Sequence, residues 1–386
     1  MLQSNNQYTK LRWLLTIAGL LFYVVDIFTD VALALNYFLR EQFVWSALTV
    51  GFVLAGLFVT QIFSYAWYRD DMSDDVINPE GKTAIFGMSK CGLAAVHLCG
   101  MGIFTRYCQL LKKSFTVVWK KTNFYTVEEK KEANHRLFCM ATDLSMLKLF
   151  EAFLESVPQL LLQLYIVLSL GGCSVMQYLS IAFSFFNIAW ALVDYRRCLR
   201  RSLPHISEMP SGIPTCIYLL YKLCTITSHI FSFTLFLILS TYSTVAFTAL
   251  WLLWTTWAHL LQTNFCSSRG LELLYRAVVG VILTFTFFNV KGQDTKVTMT
   301  LYYLFYSLVN ISAPLLLVLL GPEFHTVTPL LTVTSLIFGC LLLGLVCLVL
   351  YYLLLHPREK WQEADEVDGL GGETETTKRL KHFLQP

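Results

Sequence analysis

Ten stretches of this chain are almost wholly apolar and of bilayer-crossing length. They cover about 11–38, 43–68, 83–111, 137–170, 174–195, 213–240, 243–262, 273–290, 297–320 and 328–355. A helical span needs about 20 apolar residues. Lipid offers backbone groups no hydrogen-bond partners, so helices are expected throughout. The polar residues collect between the stretches, and their charges decide which stretches cross.

Arg69 and Lys82 lie between the second and third stretches. Lys112, Lys113, Lys120, Lys121, Lys130, Lys131 and Arg136 lie between the third and fourth. Positive residues mark cytoplasmic loops. The third stretch, broken by Gly87, Gly92, Gly100 and Gly102, should therefore enter and leave on one side as a re-entrant half-helix. The eighth behaves alike, with Arg269 and Arg276 before it and Lys291 and Lys296 after it. Arg196, Arg197, Arg200 and Arg201 mark another inner loop, whereas the connectors near 39–42, 171–173, 241–242 and 321–327 carry only Arg40. The expected fold is all-α and polytopic, with eight transmembrane helices, two re-entrant half-helices and both termini cytoplasmic. The order span, span, half-helix, span, span occurs twice. This predicts two parallel pseudo-repeats, 1–199 and 200–355, related by an axis along the membrane normal, followed by a cytoplasmic tail over 356–386.

Composition agrees. The chain of 386 residues is 55% hydrophobic and 14% charged, against roughly a quarter charged in soluble domains. The first stretch is too long for a cleavable signal peptide and holds Asp26 and Asp30, so it reads as an uncleaved span. The 11 cysteines form no CxxC pattern. Most lie in apolar runs, as Cys224, Cys340 and Cys347 do, and are expected to act as small hydrophobes. No disulfide framework, metal site, cofactor or nucleic-acid partner is expected.

Several charges sit inside the spans. In "FYVVDIFTDVALAL", Asp26 and Asp30 are i,i+4 neighbours. In "ATDLSMLKLFEAFLESVPQLLLQLYIVL", Lys148, Glu151 and Glu155 share a face, with Asp143 one to two turns nearer the cytoplasm. Pro158 and Gln159 are expected to interrupt that helix, and Gln163 continues its polar stripe. A central charge costs roughly 2.5–3.5 kcal/mol on insertion scales, so these groups must meet each other, a cation or water. Candidate cations are Lys148, Arg106, Lys222, and Arg197 beside Asp194. Two arrangements fit: buried structural ion pairs, or a polar groove crossing the bilayer. His229, His97 and His259 are isolated and fit helix-to-helix hydrogen bonds better than metal ligation. Trp67, Tyr68, Tyr351 and Tyr352 fit an interfacial aromatic belt. No Walker motif, Ser–His–Asp set or metal-spaced cluster occurs, so an enzyme is not expected.

The polar tail contains Asp365-Glu366-Val367-Asp368-Gly369. This pattern matches an executioner-caspase substrate, whose protease clamps the carboxylate at the cleaved position with arginine. Cutting after Asp368 releases a segment in which Leu380, Phe383 and Leu384 share one helical face, with Lys378, Arg379 and Lys381 around it. The segment fits a removable latch, or a basic stretch drawn to anionic lipid.

The stretch from Thr142 to Leu164, "GIFTRY", "WALVDYRRCLRRSLP", "LLYRAVVGVILTFTFFNVKGQDTK" and "DEVDG" together resemble the XK-related family of membrane proteins, which includes caspase-activated phospholipid scramblases. The resemblance implies two similar halves, a hydrophilic lipid-facing cleft and a C-terminal inhibitory helix. It also implies exposure of phosphatidylserine on apoptotic cells, and therefore residence in the plasma membrane. The family pattern carries over to Asp26, Asp30, Asp143, Glu151, Glu155 and Asp368. Some relatives require a single-span partner chain. A gated ion channel or transporter using the same charges is the alternative function.

The topology predicts that cysteines introduced near Gly171 and Gly321 are labelled from outside the cell, and those near Asn78, Asn123 and Gly292 are not. External labelling at 78 with internal labelling at 123 would make the third stretch a full crossing.

Overall fold

Apolar runs of this length satisfy their own backbone only by coiling, and helices fill the computed structural model over nearly all the residues it describes: 8–73, 84–85, 88–119, 127–170, 175–202, 212–290, 296–320 and 327–355. The helices are α1 (Lys10–Leu39), α2 (Phe43–Ser73), α3 (Lys90–Leu98), α4 (Gly102–Val118), α5 (Val127–Glu151), α6 (Val157–Leu170), α7 (Val175–Ser202), α8 (Ile213–Leu239), α9 (Ser243–Leu260), α10 (Arg269–Phe285), α11 (Lys296–Leu320) and α12 (Val327–Leu350). One antiparallel pair of two-residue strands, β1 (Ala84–Ile85) and β2 (Met88–Ser89), precedes α3. Tail residues Asp365, Glu366, Val367, Asp368, Gly369, Lys378, Arg379, Leu380, Lys381, Phe383 and Leu384 lie outside the described residues.

Seven helical segments are long and apolar enough to cross a membrane: α1, α2, the α5–α6 segment, α7, α8, α11 and α12. The chain is thus a nearly all-helical, multi-pass membrane protein. α9 has 18 residues and reaches about 27 Å, against a hydrocarbon core of about 30 Å. Several helices outrun their apolar stretches. α5 starts at Val127 and α7 runs to Ser202, because the Lys, Glu and Arg of these extensions are good helix formers once water is available.

The interruption expected at Pro158 takes a different form. A π-helical turn, Ala152–Ser156, joins α5 to α6. Pro158 then falls in the first turn of α6, where a missing N–H costs least. The helix widens for one turn and does not break.

Contacts group the chain into two units. The first holds α1 to α5 and the C-terminal end of α7; the second holds the π turn, α6, the rest of α7 and α8 to α12. In the first unit, α1 packs on α2 and α4, and α2 packs on α3, α4 and α5. The inward stripe of α1 is Tyr23, Asp30, Ala34 and Tyr37, while Leu21, Phe28, Val31 and Leu35 point outward. In the second unit α8 is central, touching α6, α9, α10, α11 and α12. Its core is rich in tyrosine: Tyr218, Tyr221, Tyr302, Tyr303, Tyr306 and Tyr351. Four of these hydroxyls are used internally. Tyr221 bonds Tyr303, Tyr306 bonds Ser228, and Tyr302 donates to the Leu283 carbonyl at 2.9 Å. Outward positions such as Leu304, Leu308, Leu342 and Leu353 are apolar and exposed, as a hydrocarbon surround requires. Trp67, Tyr68 and Tyr351, expected in the interfacial belt, are instead buried among protein side chains, where ring contacts replace the interface.

α9 and α10 approach closely at Gly280. A Cβ there would overlap Thr255 Oγ1 and lie 3.1 Å from the Thr255 nitrogen. Gly280→Ala should cost about 1–3 kcal/mol, read as a lower thermal-unfolding midpoint in detergent. Adding Thr255→Ala should recover most of it, because the worst overlap is with the side-chain oxygen. An unchanged midpoint for Gly280→Ala alone would contradict the close approach.

Candidate functional site

The first unit builds its polar interior around a gap between α3 and α4. Gly100 there has φ +75°, a conformation that favours glycine. The gap leaves backbone groups without helical partners, and Gln61 of α2 meets them. Its amide nitrogen donates to the Gly100 carbonyl at 3.1 Å, and its Oε1 accepts from the Gly102 N–H at 2.9 Å. One turn away on α2, Ser64 Oγ meets His97 Nε2 at 2.9 Å, and His97 Nδ1 lies 2.8 Å from the Leu93 carbonyl. His97 is thus a helix-to-helix link.

Arg106 of α4 is the pin of this cluster and is only 5% exposed. It donates to Ser64 Oγ at 3.0 Å, to the Ser64 carbonyl at 3.1 Å and to Asp143 of α5 at 3.4 Å. Its guanidinium lies 4.0 Å from the centre of the Tyr68 ring. Three helices meet on one buried cation. Of the sequence candidates, Arg106 and Asp143 are therefore brought together.

Further along α5, Lys148 Nζ donates to Glu151 at 2.6 Å and sits 4.7 Å from the Tyr23 ring centre. Tyr23 stacks on Tyr107, with centroids 6.1 Å apart. Asp26 is half-buried and lies within electrostatic reach of Lys148. This lysine thus answers two carboxylates, Glu151 and Asp26. Asp30 is buried one turn along α1. Of the residues singled out from the sequence, Lys148, Glu151 and Asp26 are brought together here.

Asp194 lies within electrostatic reach of Arg12 and then Arg197. The sequence suggested Arg197. It did not suggest Arg12, because 182 positions separate it from Asp194 (194 minus 12). Arg12 and Arg201 each lie 5.1 Å from the Phe138 ring, so the start of α1 and the end of α7 share one aromatic contact in the middle of α5.

In the second unit, Glu155 is buried in the π turn and Gln159 is buried on α6. Lys222 donates to Thr286 Oγ1 at 3.0 Å and to the Phe287 carbonyl at 2.9 Å. These oxygens lie just past the C-terminus of α10, where the helix dipole favours a cation. His229 Nε2 meets the Thr284 carbonyl at 3.0 Å, and its Nδ1 lies 3.2 Å from the Asn310 amide, which accepts from Ser232 at 2.7 Å. This is the helix-to-helix role expected of that histidine. A further cluster carried a signal that went unused, the i,i+4 pair Glu272 and Arg276. Glu272 accepts from the Thr263 hydroxyl and from the Cys266 N–H at 2.7 Å, while Arg276 reaches His259 Nδ1 at 2.8 Å. Among the described residues no group of three or more His, Cys, Asp or Glu side chains could hold a metal ion.

Residues 14–357 match the family described as XK-related protein. The chain belongs to the XK-related family. It is 58% identical to XK-related protein 9 of Tetraodon nigroviridis, over 98% of this chain and 100% of that one. It is 31% identical to XK-related protein 8 of the same fish, over 92% of this chain and 85% of the relative. It is also 31% identical to XK-related protein 8 of Pan troglodytes, over 96% and 92%. The family resemblance carried by the Thr142–Leu164 stretch and its companions therefore holds.

Arg106→Met in this XK-related chain should strand Asp143 as a buried charge and cost about 3–5 kcal/mol, measured as thermal stability in detergent. Asp143→Asn added to it should restore part of the loss. A double variant no more stable than Arg106→Met would show that the guanidinium's other bonds dominate.

Proposed function

We propose that this XK-related protein is a phospholipid scramblase of the plasma membrane, with both termini cytoplasmic, eight crossings and re-entrant half-helices in two parallel pseudo-repeats. Caspase cleavage of its tail after Asp368 activates it, and it then exposes phosphatidylserine on apoptotic cells by passive, bidirectional lipid movement. It is not an enzyme, and it needs no cofactor. Its partners are membrane phospholipids and an executioner caspase.

The observation that carries this reading is the stripe of ionisable side chains inside membrane-length helices. Asp26, Lys148 and Glu151 form a group with more carboxylate than cation, and Asp30, Asp143 and Glu155 are buried along the same helices, α1 and the α5–α6 segment. Moving a headgroup through bare hydrocarbon costs what burying its charges costs. A polar groove open to the side lets the headgroup pass while the acyl chains stay in lipid. Such equilibration requires no ATP, and the sequence carries no nucleotide motif.

Two experiments test this. In liposomes, protease-treated protein should equilibrate headgroup-labelled lipid without ion current. Asp26→Asn or Glu155→Gln should slow it roughly tenfold, equivalent to about 1.4 kcal/mol on the barrier, in protein that still folds. Full activity after both substitutions would remove the groove, and current without lipid movement would favour a channel. In cells lacking other scramblases, Asp368→Ala should reach the surface and leave phosphatidylserine unexposed after an apoptotic stimulus. A chain truncated after Asp368 should scramble without caspase. Leu380→Asp together with Phe383→Asp should loosen the uncut latch. A truncated chain that scrambles no faster than the uncut one would sink the latch.

A further inference from the structure

Within the second unit, α9, α10 and α11 enclose an open cleft of about 290 Å³ that plays no part in the stripe of buried acids. Its floor is aromatic and fixed. Tyr302 commits its hydroxyl to the Leu283 carbonyl, which fixes its ring in the lining. Phe287 packs edge-on to Tyr302 at 5.6 Å, and Trp254 lies against Tyr302 at 5.7 Å. Trp257 stands across Trp254 at 81°. The mouth is flanked by Leu301 and Phe305, which are 61% and 42% exposed, so it faces hydrocarbon.

The cleft has a polar end and an apolar end. Thr298 lies two residues into α11, and Trp257 three residues before the last residue of α9, so both are near an interface. Phe305 is two turns deeper than Thr298, about 10 Å by helical rise. Among the described residues, no hydrogen bond engages the Thr298 hydroxyl or the indole N–H of Trp254 or Trp257. The space therefore suits a ligand with a flat apolar body and one hydroxyl at the interfacial end. A flexible acyl chain would lose rotamer freedom on entering a rigid cleft, whereas a fused ring system has little to lose. A rigid alicyclic face also packs on aromatic walls through dispersion contacts.

We propose that this cleft binds a membrane sterol, its rings between the α9 tryptophans and the α11 face and its hydroxyl at Thr298. The site is independent of the groove reading.

The test uses the full-length protein in phosphatidylcholine vesicles with a diazirine- and alkyne-bearing sterol, and a photoactivatable phosphatidylcholine as a parallel arm. The sterol probe should label peptides spanning 251–258 or 296–305 saturably, and cholesterol should compete better than its 3α-hydroxy epimer. Thr298→Val should weaken labelling roughly three- to tenfold, the effect of one hydrogen bond. Leu301→Trp, which fills the mouth from an exposed position, should nearly abolish it. Both variants are checked for an unchanged gel-filtration profile. Sterol labelling that is non-saturable, that both variants leave unchanged, or that the phospholipid probe matches at these peptides would overturn the proposal. In the last case the cleft is an acyl-chain groove.

Discussion

A polar group inside hydrocarbon has no water to fall back on, and every other feature of this protein follows from how that requirement is met. Outside the protein surface the only neighbours are acyl chains, so leucine and phenylalanine cover it. Inside, polar side chains need partners, and where the partner lies on another helix it fixes which helices pack together. Arg106 shows the logic at its strongest. One buried guanidinium takes oxygens from α2 and α5 and lays its face on Tyr68. Gln61 does the same for backbone, giving a carbonyl and an N–H at the α3–α4 gap the partners that helical geometry withdraws. Without that amide the carbonyl and the N–H at the gap would lose these partners.

The two units meet this requirement differently. Around α8, polar groups are satisfied largely by neutral oxygens, hydroxyls and amides, and even Lys222 bonds a hydroxyl and a carbonyl. In such a lattice each partner is already committed, which rigidifies the packing. In the first unit ion pairs join the neutral bonds, and one lysine serves Glu151 and Asp26 together. A shared cation is a weaker commitment to either acid than a private one.

The presence of helices was plain in the sequence, because apolar runs of 20 or more residues admit no other solution in lipid. Asp26, Asp30, Lys148 and Glu151 were legible because helical spacing places them on common faces. Arg12 beside Asp194 was hidden by sequence distance. The role of Gln61 was hidden because an amide in an apolar run does not disclose its partner. Helix ends ran past the apolar stretches wherever the polar flanks were themselves good helix formers. Pro158 misled because a proline signals a local conflict but not its resolution, here a π turn one step earlier. Trp67 and Tyr351 misled because an amphipathic ring suits a membrane interface and a polar core equally well. The proposed cleavage site and latch rest on sequence chemistry alone.

The ionic character of the first unit also bears on what a passive lipid path can tolerate. A path that bound a headgroup tightly would trap it, and one made only of carboxylates would repel the phosphate while holding the amine. On the proposed reading, Lys148 supplies the missing sign without making the group net positive, because Glu151 and Asp26 outnumber it. On the proposed reading, a phosphate that approaches Lys148 takes the place of a carboxylate already there, while the released acid faces the headgroup's amine. The number of ion pairs is then nearly the same before and after the exchange. On that reading the free energy of the passing headgroup would stay close to level, which would speed passive movement in both directions.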